Sequence, residues 1–159
     1  MSAKSIVKNP EVRLNIIKGL VDAYWKEMET VQNYLAISMN LDGVHAEPIK
    51  KSLDTDIAEE LGHARQLAAR IRVLGGVVPG SKDFKASQDF LQPPKSSTDV
   101  VSVIKGVIEA EEGAIEGYAE VIEACDGVDY VTQDLCITLM ADEEEHRREF
   151  LGFLAEYGD

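Results

Sequence analysis

Two of the three histidines in this chain follow a glutamate by three residues, in Glu60-Leu-Gly-His63 and Glu143-Glu-Glu-His146. Each pair lies inside a long stretch of helical apolar periodicity. Residues i and i+3 share a helix face, so each pair brings a carboxylate and an imidazole to one point in space. Taken singly, either motif reads as a surface ion pair or a capped histidine. The doubling argues for a shared site. Two such helices facing each other supply two nitrogens and two carboxylates, close to a complete donor set for a pair of iron or manganese ions.

The periodic stretches number four, which makes the chain an all-α four-helix bundle. Asn9-Pro10 is a start signal, a capping side chain followed by proline at the first helical position. The first helix runs from Pro10 to about Leu41 and ends at Asp42-Gly43. The second begins near Glu47-Pro48 and stops at Gly75-Gly76. The third begins near Thr98-Asp99 and continues to Asp126-Gly127. The fourth runs from about Asp129 to Tyr157, with Gly158 as its stop.

Between the second and third helices lies VVPGSKDFKASQDFLQPPKSS, which holds three of the five prolines. The other two connections are short and make their helices antiparallel neighbours. A helix of about 28 residues is roughly 42 Å long, and about twenty extended residues reach up to ~65 Å. This segment can therefore return along the whole bundle, so that helices two and three run in the same direction. Residues 1–159 are expected to form one domain, because a lone two-helix hairpin buries too little apolar surface to stand alone.

The two halves of the chain resemble each other. Glu27 precedes Tyr34 by seven residues, and Glu111 precedes Tyr118 by seven, two turns along one helix face in each case. Glu27 and Glu60 are 33 residues apart; Glu111 and Glu143 are 32 apart. Each half is a Glu helix followed by a Glu-x-x-His helix. Pairing them about a pseudo-two-fold axis brings four carboxylates and two imidazoles to one cavity. The same register selects among competing acids. Glu29 lies about 200° around the helix from Glu27 and is expected to face outward. Glu109 and Glu112 lack the interhelix spacing of Glu111, and Glu144 and Glu145 have no histidine three residues on. Glu60 and Glu143 share apolar faces with Ile57, Leu61 and Leu67, and with Leu139 and Phe150.

Composition narrows the remaining function classes. With 29 acidic and 16 basic residues the formal net charge is −13, which argues against nucleic acid as a partner. Lys4 and Lys8 are too few to make a basic tail. No apolar run approaches the roughly 18 residues needed to span a bilayer, and no apolar leader opens the chain. A cytoplasmic protein is expected. Cys125 and Cys136 have no zinc-type spacing and read as buried free thiols.

With these residues in place, the chain resembles the ferritin-like superfamily over essentially its whole length. Within it, the segments DYVTQDLCITLMADEEEH and EMETVQNY look like helices four and one of bacterioferritin and of Dps-like proteins with a bacterioferritin-type site inside each subunit. The resemblance implies two iron ions per subunit, bridged by Glu60 and Glu143. Glu27 with His63 would complete one iron, and Glu111 with His146 the other. Bacterioferritins carry a haem-ligating methionine directly after the second-helix glutamate; Leu61 stands there, so no haem is expected. The chain runs about a dozen residues past His146, with no fifth short helix. A Dps-like dodecamer is therefore expected rather than the larger bacterioferritin cage.

The function these features suggest is a ferroxidase that oxidises Fe(II) with O₂ or H₂O₂ and stores the product in a homo-oligomeric shell. Two rivals stand beside it: a non-storing di-iron peroxidase or oxidase of rubrerythrin type, and a metal-free helical scaffold. The rubredoxin-type four-cysteine module of a full rubrerythrin is missing from the sequence.

Overall fold

A computed structural model describes residues 7–158; Lys4 lies outside them. Four helices dominate: α1 (Pro10–Asn40), α2 (Ala46–Val73), α3 (Val100–Cys125) and α4 (Tyr130–Tyr157). There is no strand among the described residues, and none of their helices is long and apolar enough to cross a membrane.

Local chemistry accounts for the boundaries. The Asn9 side chain accepts from the N–H of Glu11 at 2.9 Å, with Pro10 opening α1. Asp99 accepts from Ser102 N–H and Asp129 from Thr132 N–H, each at 3.1 Å, at the starts of α3 and α4. These caps satisfy amide donors that have no partner inside the helix. α2 starts just before Glu47-Pro48, at Ala46, without a side-chain cap. Pro48 fits there because first-turn N–H groups have no intrahelical acceptor. The chain leaves α1, α2 and α3 near Gly43, Gly75 and Gly127, with φ of 98°, 84° and 68°. A side chain is strained in that region, so glycine suits each exit.

α1 packs on α2, α3 on α4, and α1 on α3. Tyr34 of α1 meets Glu111 of α3, and Tyr118 of α3 meets Glu27 of α1, so these two helices are antiparallel. α2 and α3 consequently run the same way, as a full-length crossover requires. The apolar core is split. One cluster, with Ile37, Leu53, Ile104 and Phe150, fills one end of the bundle. Another, with Leu20, Leu67, Val121 and Leu139, fills the other. Beside the second cluster, the buried Arg70 of α2 donates from Nη2 to Asp129 Oδ1 at 2.8 Å and from Nε to Thr132 Oγ1 at 2.7 Å. This contact ties the end of α2 to the start of α4.

The crossover lies over the α1–α3 face, and that placement corrects two expectations. Glu29 does not face outward; it is 5% exposed. Its carboxylate accepts from the N–H of Ser87 at 2.7 Å, the N–H of Gln88 at 2.9 Å and the Ser87 hydroxyl at 2.9 Å. The helix angle was right, but the outer face of α1 at this level is covered by chain rather than water. Leu61 departs the other way. One residue beyond Glu60, it is turned about 100° from that residue's face and is 36% exposed. The crossover also passes close to α3, where a Cβ on Gly106 would stand 2.6 Å from the carbonyl oxygen of Phe90.

Glu29→Ala removes three acceptor contacts from a buried anchor. The expected cost is about 2 kcal/mol of stability, with faster amide exchange confined to the segment around Ser87 and Gln88. Hydrogen exchange followed by mass spectrometry checks this. Protection unchanged in that segment would show that the carboxylate does not hold it.

Candidate metal centre

All four helices deliver ionisable groups to the level between the two apolar clusters. Glu60 and His63 come from α2, Glu143 and His146 from α4, Glu27 from α1 and Glu111 from α3; none of the six exceeds 5% exposure. Their donor atoms form two sets, Glu27, Glu60, His63 and Glu143, and Glu60, Glu111, Glu143 and His146. Within each set the atoms lie within 4.8 Å of one another. Glu60 and Glu143 belong to both. The competing acids Glu109, Glu112, Glu144 and Glu145 are exposed and stay outside.

The arrangement is nearly two-fold symmetric. His63 Nδ1 is 3.1 Å from Glu60 Oε2 and 3.0 Å from Glu143 Oε1. His146 Nδ1 is 3.4 Å from Glu60 Oε1 and 3.3 Å from Glu143 Oε2. The rings lie 6.4 Å apart and 19° from parallel. The tyrosines complete the pattern crosswise. Tyr34 donates to Glu111 Oε1 at 2.5 Å, and Tyr118 donates to Glu27. Each phenol thus orients the carboxylate of the other half.

Two residues at the site were not anticipated from the sequence. His63 Nε2 lies 3.1 Å from Asp142 Oδ2, and His146 Nε2 lies 2.7 Å from Glu59 Oε2. Both carboxylates are half-exposed. An Nε2–H directed at an outer carboxylate leaves the Nδ1 lone pair for the interior, the usual support of a metal-binding imidazole. The signal was present as an acid directly before each motif glutamate, in Glu59-Glu60 and Asp142-Glu143. Asp56 breaks the symmetry. It is 3% exposed, with Oδ1 3.8 Å from His146 Nε2, whereas the matching position on α4 is the apolar Leu139.

The polar atoms at the centre fit a pair of cations. Glu60 Oε1, both carboxylate oxygens of Glu143 and His146 Nδ1 are buried without a hydrogen-bond partner. The imidazoles approach these oxygens but are not aligned to bond them. Hard carboxylate oxygens with one imidazole per set suit iron or manganese, and cations between them would satisfy the orphaned atoms together.

The model of the ferritin-like domain matches residues 17–157. The chain belongs to the ferritin-like family. This ferritin-like protein is 27% identical over 139 residues to the DNA protection during starvation protein of Pyrococcus furiosus, covering 85% of this chain and 74% of that one. It is 30% identical over 133 residues to the bacterioferritin of Brucella melitensis, covering 82% and 77%. Among solved structures, it is similar to the dodecameric thioferritin of Bacteroides fragilis, a bacterioferritin-related protein. That match has a TM-score of 0.81 at 25% identity, covering 91% of this chain and 86% of that one.

Without cations, protons balance the charge in this ferritin-like centre. Burial, reinforced by the charges of Glu60 and Glu143, raises Glu27 well above its usual range. Burial also raises Glu111, against the attraction of His146, whose Nδ1 lies 3.8 Å from Glu111 Oε2. Burial opposes a charge on His63, yet the close carboxylates of Glu143 and Glu60 raise it to about 10. His146 moves up further for the same reasons, with Glu111 its foremost partner. Burial would raise Glu60 too, but the neighbouring imidazoles of His146 and His63 bring it down to about 2. Both phenols are held protonated by burial and by the neighbouring carboxylates.

Glu27, Glu111, His63 and His146 therefore hold protons more tightly when folded than when unfolded. The metal-free fold should lose stability as pH rises, because the native state then binds more protons than the unfolded one. The two carboxyls contribute from above about 4.5, and His63 from about 6.5 until it titrates near 10. The stability from Glu60 is lost only in acid, as pH falls below about 4.5 towards 2. Melting of chelator-treated protein should fall between pH 5 and 9, and divalent metal should flatten the slope. Stability that rises over this range without metal would contradict the assignment.

Proposed function

We propose that this chain is a ferroxidase that takes two Fe(II) ions as substrate, oxidises them with O₂ or H₂O₂, and passes the product to a store inside a homo-oligomeric shell. The observation that carries this reading is the pair of overlapping donor sets that share Glu60 and Glu143. Each set offers three carboxylates and one imidazole, a site for one cation, and the shared acids hold the two cations as a pair. Carboxylates stabilise the higher iron charge and tolerate changes in binding mode. Bound iron supplies the electrons. The chain supplies position, charge balance and exclusion of bulk water.

The placement of the side chains supports a role for each. Glu60 and Glu143 would be shared by both irons; Glu27 and His63 would complete the donor set of one, Glu111 and His146 that of the other. Tyr34 and Tyr118 hold the two terminal carboxylates in place. Asp142 and Glu59 fix the imidazole tautomers. Leu61, in the position of the haem-ligating methionine of bacterioferritins, offers haem iron no ligand, so the proposed function includes no haem.

Oxidised iron is insoluble when released singly, so storage needs a cavity, and a closed shell of identical chains provides one. The similarity to a dodecameric protein supports twelve subunits. We place the protein in the cytoplasm, as one ferritin-like unit over residues 1–159.

Glu60→Ala and His146→Ala should each abolish rapid Fe(II) oxidation while helical content is retained. Stopped-flow absorbance of the ferric product checks this, and wild-type rates in both variants would sink the di-iron reading. In solution, twelve chains of 17.5 kDa give about 210 kDa by light scattering. A stable monomer or dimer that oxidises iron without accumulating it would instead favour the non-storing oxidase.

A further inference from the structure

The buried cluster can be approached from two opposite sides of the bundle, and their chemistry differs. On the α2–α4 side, the imidazoles lead outward to the half-exposed Asp142 and Glu59, with the buried Asp56 beside His146. Among the described residues, no lysine or arginine forms an ion pair with these three acids. That side suits a divalent cation.

On the α1–α3 side, a cavity of about 550 Å³ lies between the two helices and the crossover. Its exposed rim carries Asp22, Asp83 and Glu120 with Lys85. Its inner wall is Glu27 and Tyr118, 3% and 1% exposed, so it ends on a member of the carboxylate cluster. Ala114 and Gly117 form the wall between rim and cluster. Small residues here leave room that larger ones would fill. Lys26 also lines the cavity, its Nζ held on the carbonyl of Gly113 at 2.9 Å.

We propose that this cavity is the route by which a small neutral oxidant containing an O–O bond, dioxygen or hydrogen peroxide, reaches the cluster. The inference rests on the ferroxidase reading above. A hydrated divalent cation taking this path would have to pass the fixed ammonium of Lys26 and shed water beside Ala114 and Gly117, at high desolvation cost. A neutral molecule of two heavy oxygen atoms meets neither obstacle. The electron count closes with either source. Two Fe(II) give up one electron each; dioxygen takes both with two protons and leaves as hydrogen peroxide. Hydrogen peroxide takes both with two protons, its O–O bond breaks, and it leaves as two waters.

Plugging the cavity tests the route. Ala114→Phe and Gly117→Leu add bulk without replacing a proposed ligand. At Gly117 the nearest atom to an added Cβ is the flexible end of Lys26, at 3.3 Å, so this variant has room to fold. Anaerobic Co(II) binding, read from its visible absorbance, should keep the wild-type number per chain and association rate. Fe(II) oxidation should slow at least tenfold in both variants, assayed with dioxygen and with hydrogen peroxide separately. Slowing with one oxidant alone assigns the cavity to that oxidant. Unchanged oxidation with both would overturn the proposal, and slowed Co(II) association would overturn it by making the cavity a cation path. If the wild type binds Co(II) but oxidises no Fe(II), the ferroxidase reading falls and the route falls with it.

Discussion

Six ionisable side chains sit at one level inside the bundle, and the rest of the structure accommodates them. Four carboxylates cannot share an apolar interior as free charges. Protons on Glu27, Glu111 and the two imidazoles balance the group without metal, and cations can take over that role. The apolar residues divide into two clusters, one towards each end of the bundle, and the polar layer lies between them. Metal bound there would therefore be linked to stability through the same groups that would do the chemistry. Melting behaviour and metal loading report on one site.

The pseudo-two-fold repeat lets each half support the other. Tyr34 and Tyr118 cross between α1 and α3, and Asp142 and Glu59 cross between α4 and α2. No carboxylate or imidazole at the centre depends only on neighbours in its own helix. Such outer contacts would keep the side chains in one rotamer as metal entered and left. Asp56 departs from the symmetry, giving the His146 side one more buried carboxylate than the His63 side.

Much of this was legible in the sequence because the informative signals are local. Glu-x-x-His spacing, the seven-residue step from glutamate to tyrosine, and the capping residues Asn9, Asp99 and Asp129 each act within a few turns of helix. The four helices and the selection of Glu111 over Glu109 and Glu112 follow from that periodicity. Long-range packing was not legible. Helical angle alone turned Glu29 outward, and only the path of the crossover shows that Ser87 and Gln88 cover it. Leu61 was placed on the buried face because it adjoins Glu60, although one residue is a quarter-turn. Asp142 and Glu59 were hidden among many surface acids until the facing imidazoles came into view.

In the proposed function, Glu60 and Glu143 jointly hold two cations. Anomalous diffraction from crystals soaked anaerobically in Fe(II) or Mn(II) tests it most directly. Two peaks per chain are expected, about 3.5–4 Å apart, with both shared carboxylates between them and one imidazole on each. A single peak, or peaks only on surface acids with the cluster left empty, would contradict it.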